Sequence, residues 1–186
     1  MIGADPLGRG ERWSADVGYH DLACSALARG HDRETAAWVW RMPLESALTE
    51  LWLAKGDLAQ ARAQAERFLA ITLATAEHTW QALAWEVKAR VAMAELDLTR
   101  AQDCIVSGLS SMEGFEVPLA AWRVHATAAE LYRRTESRDL WKRHLALSRE
   151  TIMKLANSLP PEESLRHIFL SAPKIRKIVL HGGVRH

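Results

Sequence analysis

Cysteine is nearly missing from this chain. Its two copies, Cys24 and Cys104, each fall inside a predicted helix and far from another thiol, which argues against a disulfide framework and suits a reducing compartment. Neither sign of charge dominates. The 24 Lys and Arg are matched by 23 Asp and Glu, so the chain lacks the global basic field that drives non-specific binding to nucleic acids or membranes. No apolar run approaches the roughly 18 residues a membrane span requires, and residues 1–10 lack the basic stretch and apolar core of a secretory leader. The expectation is a cytoplasmic protein that contacts neither membrane nor nucleic acid directly.

Proline and glycine are also scarce, at 6 and 10 copies, and they sit at segment boundaries; β-rich segments are absent. Two Tyr and three Phe stand beside eight Trp, so indoles must supply most of the large aromatic volume between packed elements. What fills the chain instead is Ala, Leu, Glu, Arg and Gln, the strongest helix formers. With 48% hydrophobic and 25% charged residues, 186 positions suffice for one compact domain or a short solenoid.

The pattern predicts helices over 12–29, 33–55, 57–74, 77–95, 98–112, 117–135, 138–158, 162–171 and 173–180. Gly30 is placed as a C-cap, Asp57 and Asp97 as N-caps that accept from orphan N–H groups, and Pro118 in a first turn. Pro160 and Pro161 end the helix that closes near Leu159. Pro43 leaves two arrangements open: a kink within 33–55, or a split into a 33–41 piece and a second helix from about Met42.

Laying the chain on itself at an offset of 40 residues brings out an internal repeat. Leu51, Val91 and Leu131 align, as do Trp52, Ala92 and Tyr132. The same offset matches Ala61, Ala101 and Trp141, then Ala65, Ile105 and Leu145, and it superimposes the turns at Gly56-Asp57, Leu96-Asp97 and Glu136-Ser137. Three helical hairpins of one design follow. Their apolar stripes run through Leu44, Leu48, Leu51 and Trp52, then Trp80, Leu83, Ala84, Val87 and Val91, then Leu119, Trp122, Ala126, Ala129 and Tyr132. A lone hairpin cannot bury such a stripe, so stacking is required. Ala61, Ala65, Ala89, Ala92 and Ala101 are small where helices must approach closely.

The run Leu51-Trp-Leu-Ala-Lys-Gly-Asp-Leu-Ala-Gln-Ala61 resembles the heart of a tetratricopeptide repeat, with an aromatic before a Gly-Asp turn and an Ala opening the second helix. The later copies depart from it, since Leu96 and Glu136 replace the turn Gly and Trp141 the small Ala, and the period of 40 exceeds the family's usual 34. Longer helices at this spacing, and the tail from Leu159 to Pro173, resemble the divergent MalT-like repeats of bacterial signal-transduction ATPases and transcription activators. The resemblance covers about residues 40–180. It implies an all-α array of three to four helix pairs with C-terminal capping helices, used for interaction and carrying no catalytic residues.

The corresponding organisation is a flexible N-terminus over 1–11, a degenerate first repeat or cap over 12–41, three hairpins over 42–159, capping helices over 160–180 and a flexible tail over 181–186. In tetratricopeptide arrays the first helix of each pair lines a concave groove. That places Glu50, Leu53, Glu86, Arg90, Met93, Arg123, Glu130 and Arg133 toward a partner, with the charges selecting it and Leu53 and Met93 giving apolar contact. The plain alternative is an ordinary solvated helix surface.

Other constellations carry less. His20 and Cys24, four apart with Asp21 between them, have a metal-compatible spacing, but two ligands do not make a site, and a part-exposed His beside a buried Cys accounts for them. Glu77-His78 lacks the second His of a zinc-protease helix, and His125 and His144 have no nucleophile at a standard spacing. Gly182-Gly183 has no strand before it or helix after it to make a phosphate loop. Trp38, Trp40 and Trp52 can be drawn as a cation cage but suit core packing better, and Lys174-Ile-Arg176-Lys177 is a short basic stretch. The first functional expectation is a scaffold for a protein or peptide partner, without metal or cofactor. The second is the inducer-sensing region of a MalT-like activator or ATPase separated from its effector domains. An enzyme, assembled from scattered groups such as Arg123, His125 and Glu130, has the least support.

Overall fold

The computed structural model describes residues 34–180, with side chains from Trp40 onward. The expected helix over 12–29, the His20/Cys24 pair, the tail glycines and the side chain of Trp38 lie outside the described residues. Eight helices follow one another among them: α1 Glu34–Lys55, α2 Leu58–Leu73, α3 His78–Ala94, α4 Leu98–Ser110, α5 Pro118–Arg134, α6 Arg138–Asn157, α7 Ser164–Ser171 and α8 Pro173–Leu180. Each end falls within two residues of its expected place, and no strand occurs among the described residues. Pro43 lies inside an uninterrupted α1. The proposed split does not occur; the helix forgoes one backbone bond there and continues.

The period of 40 is written into the backbone. Gly56, Leu96 and Glu136 all take left-handed dihedrals, at φ of 75°, 63° and 58°. Behind each, the next amide donates five residues back: Asp57 N–H to the Trp52 carbonyl (3.1 Å), Asp97 to Ala92 (2.9 Å) and Ser137 to Tyr132 (2.9 Å). These are Schellman closures, in which a left-handed residue satisfies carbonyls orphaned at a helix end. Only the first uses glycine, so the second and third carry the steric cost of a Cβ in that region. Asp57 and Asp97 then cap the following helices by accepting from Gln60 N–H (3.1 Å) and Arg100 N–H (3.0 Å). Ser137, in the same position, makes no such bond.

Within each hairpin the two helices pack on each other, and successive first helices also touch, α1 on α3 and α3 on α5. Second helices instead meet the next first helix, α2 on α3 and α4 on α5, and stay farther from one another. A row with its first helices close and its second helices spread curves with the first helices inside. The result is an all-α helical repeat array.

The core runs along the row as overlapping clusters. Met42, Phe68, Leu69, Ala84 and Val87 join α1, α2 and α3; Ala89, Ala92, Cys104, Ile105, Ala128 and Leu131 join α3, α4 and α5. Ala61, Ala89, Ala92 and Ala101 are wholly inaccessible and Ala65 nearly so, which is why the sequence keeps these positions small. Gly108 is smaller still, because a Cβ there would meet Trp85 Cβ at 3.3 Å and Val124 Cγ1 at 3.7 Å. Trp52, Trp80, Trp85 and Trp141 pack against these clusters. Trp40 does not, being 72% exposed. Past α6 the array is closed by α7 and α8, which pack on it and on each other. Among the described residues no helix is long and apolar enough to cross a membrane.

Candidate functional site

The inner side of the curve holds an open cleft of about 910 Å³. Its walls come from two positions of the repeat, each used three times: Glu50, Arg90 and Glu130 at one, Leu53, Met93 and Arg133 at the other. Both series step by 40 residues along α1, α3 and α5. Side chains three apart on a helix share a face, so one turn of each first helix presents both. These six are among the eight residues expected in the groove.

The other two lie beneath it. Glu86 is 1% exposed, too deep to meet a partner directly. Its Oε1 accepts from the Thr127 hydroxyl at 2.6 Å, and its carboxylate lies 3.9 Å from the Arg90 guanidinium and 3.8 Å from that of Arg123. Arg123, part-buried, holds Glu50 directly, and Arg90 reaches the same Glu50 oxygen at 3.1 Å. One network thus ties all three first helices together across 73 residues of chain. Burial pushes the Glu50 carboxyl upward, but Arg123, Arg90 and Lys174 outweigh it and hold the group below its ordinary value. Much of the charge expected to choose a partner is spent on preorganising the floor.

At the far wall, Glu130 accepts from Arg133 at 2.8 and 2.9 Å and from Arg134 at 2.9 Å. The hydrogen bond from Arg133 is the main cause that draws its pKa down to about 2; burial opposes this and Arg134 reinforces it. Leu53 and Met93 add apolar surface, with Met93 almost covered.

Nine lining residues were not foreseen: Ala94, Ala126, Thr127 and Arg134 on the first helices, Trp141 and Leu145 of α6, and Lys174, Lys177 and Ile178 of α8. Trp141 and Leu145 occupy the places of Ala101 and Ile105, which the middle hairpin buries completely. In the last hairpin those places open onto the cleft, and α8 crosses toward it. Loss of solvation pushes the Lys174 ammonium below its ordinary pKa, with Glu86 and Glu50 pulling the other way and Arg90 and Arg123 adding to the fall. Lys174 Nζ also sits 5.8 Å from the centre of the Trp122 ring. The basic stretch at 174–177 was visible in the sequence; that it folds back onto the first helices was not.

The remaining candidates make the following contacts. His78 Nδ1 donates to the Ser111 carbonyl at 3.0 Å and stacks on Phe115, fastening the start of α3 to the loop before α5. His125 and His144 meet Nδ1 to Nδ1 at 3.0 Å, with Tyr132 stacked on His144. Burial, then His144 and Arg143, lower the His125 pKa to about 4, and burial and Arg143 lower that of His144. Two neutral rings sharing one hydrogen bond is the state this favours. No group of three or more His, Cys, Asp or Glu arranged for a metal occurs among the described residues. Trp40 and Trp52 build no cage, one standing in solvent and the other packed on Ala61, Ala65 and Val91. Comparison with protein-family models, with curated proteins and with solved structures found no match to this chain.

Proposed function

We propose that this chain is a non-catalytic scaffold of the tetratricopeptide-like kind, whose concave cleft receives a segment of a protein partner in cytoplasmic bacterial signalling or regulation. The observation that carries the reading is the threefold use of two repeat positions, 50/90/130 and 53/93/133, to line one cleft. A charged side chain on a stabilising face tends to be paired at random along a surface. Here equivalent positions of three hairpins converge on one concavity, and a part-buried ion-pair network around Glu86 links its three first helices, which lowers the ordering cost of binding.

A photo-cross-linking residue placed at Arg133, 58% exposed in its side chain, tests this against the same residue at Lys154 on α6, 74% exposed. The expected outcome is a partner protein joined at 133 and not at 154. Equal products from both, or none from 133, would sink the scaffold reading.

The second reading, an inducer-sensing region of a MalT-like regulator, draws on the size of the cleft, since small-ligand sites span about 300–1,000 Å³. Calorimetric titration with a panel of sugars and other small metabolites separates the two. Heat that disappears when Trp141 is changed to Ala would favour the sensor.

A further inference from the structure

Resting on the scaffold reading, we infer that the segment received by the cleft is acidic and amphipathic, and that α8 supplies the selectivity for it. The chain as a whole carries a formal charge of only +1, yet the cleft wall sets five cations against two carboxylates. The surplus is therefore local. Both carboxylates already have two arginine partners each, Arg90 and Arg123 for Glu50, Arg133 and Arg134 for Glu130. Beneath them Glu86 and Arg123 offset each other.

Helix α8 adds cationic side chains to the same wall. Between Pro173 and Leu180 it has three cations and no carboxylate, and two of these, Lys174 and Lys177, line the cleft. Ile175 is the buried residue that seats this helix, so its position does not depend on those lysines alone. Arg133 engages Glu130 through Nε and one terminal nitrogen, and a guanidinium has five N–H donors, leaving donors on an exposed group for a second carboxylate. Burial leaves the Lys174 ammonium poorly solvated, with Glu86 and Glu50 set against Arg90 and Arg123 around it, and a carboxylate entering here would add to the compensation those glutamates give. Leu53, Met93, Trp141, Leu145 and Ile178 form the apolar part of the wall, so acids alone leave it unfilled; the segment must alternate the two. Glu50 and Glu130 stand within the wall, which disfavours a polyphosphate backbone relative to a peptide with spaced carboxylates.

The test uses the full chain and three fluorescent probes. One is a 15-residue peptide with Leu at helical spacing and Glu elsewhere, the second its Lys counterpart, the third a single-stranded oligonucleotide. Binding is followed by anisotropy and by the Trp141 indole resonance, assigned with Trp141→Phe. The acidic peptide should bind at least about tenfold more tightly than the basic one and shift that resonance, and should weaken several-fold as salt rises. Lys177→Glu with Arg133→Glu should cut its affinity about tenfold, whereas Lys142→Glu with Lys154→Glu on α6 should leave it unchanged. Circular dichroism confirms that each variant is folded. Equal binding of both peptides, tighter binding of the oligonucleotide, no binding of the acidic peptide, or indifference to the double reversal at 133 and 177 would each overturn the inference. None of these touches the cross-linking outcome at Arg133, so the scaffold reading stands or falls separately.

Discussion

Three hairpins of one backbone design place three different chemistries at the same point. The positions 45 and 64 of the first, 85 and 104 of the second, and 125 and 144 of the third coincide at the 40-residue offset. In the first hairpin they are Glu45 and Gln64, joined by a hydrogen bond, with Arg67 reaching the buried carboxylate at 3.2 Å. In the second they are Trp85 and Cys104, both part of one apolar cluster. In the third they are the facing pair His125 and His144. The repeat thus dictates the path of the chain and leaves the seam between paired helices open to any chemistry that satisfies itself. The middle hairpin, covered on both sides, is the apolar one. The last hairpin is followed, among the described residues, by the short α7 and α8. It tolerates polar groups at its seam, with the Ser148 hydroxyl donating to the Trp122 carbonyl at 2.9 Å, and turns Trp141 and Leu145 outward to the cleft.

The largest expected contrast lies in the equivalent residues Ile105 and Leu145. Ile105→Ala in the covered hairpin removes a wholly buried side chain and should cost about 3–4 kcal/mol. Leu145→Ala, facing an open cleft, should cost under about 1 kcal/mol. Urea unfolding measures both, and similar losses would mean that the two hairpins are equally closed.

A smaller effect tests the histidine seam. The His125 pKa is about 4 in the fold against 6.5 unperturbed, so the unfolded chain binds the extra proton first. Stability should therefore be unaffected above pH 6.5 and fall as pH drops from 6.5 toward 4, by up to about 2 kcal/mol after allowing for the ring's partial exposure. Carrying the middle seam into the third hairpin, His125→Trp with His144→Cys, should flatten that window. Persistence of the slope would assign it elsewhere. Glu130, ordinarily 4.5 and here about 2, acts in a separate range: its stabilisation holds above 4.5 and is lost as pH falls through 2.

The smallest effects concern the turns. Leu96→Gly and Glu136→Gly should each raise stability by about 0.5–1 kcal/mol by removing a left-handed Cβ, while Gly56→Ala should lower it by about 1 kcal/mol. Thermal melts read all three; a fall for either glycine variant would show that the side chain at that turn contributes more than its strain.

Helix ends and turns were legible because they are local. Asp57 and Asp97 cap through bonds to residues three ahead, and Pro118 suits a first turn, with no distant partner needed. The period of 40 was also enough to place Glu50, Leu53, Arg90, Met93, Glu130 and Arg133 on one side, since equal steps along equal hairpins keep a position on one face. Burial of Glu86 escaped that logic. A Glu facing inward costs desolvation unless cations arrive, and those it has come from a helical turn away on its own helix, Arg90, and from another helix altogether, Arg123.

By itself, then, the sequence determined the helices, their closures and the repeat, because capping, propensity and periodicity act over a few residues. Only the tertiary structure decided which charges became floor and which remained wall, and that α8 would return to the cleft. Those outcomes depend on contacts between residues as far apart as Glu50 and Arg123, or Lys174 and Trp122. Such contacts exist only once the array has curved.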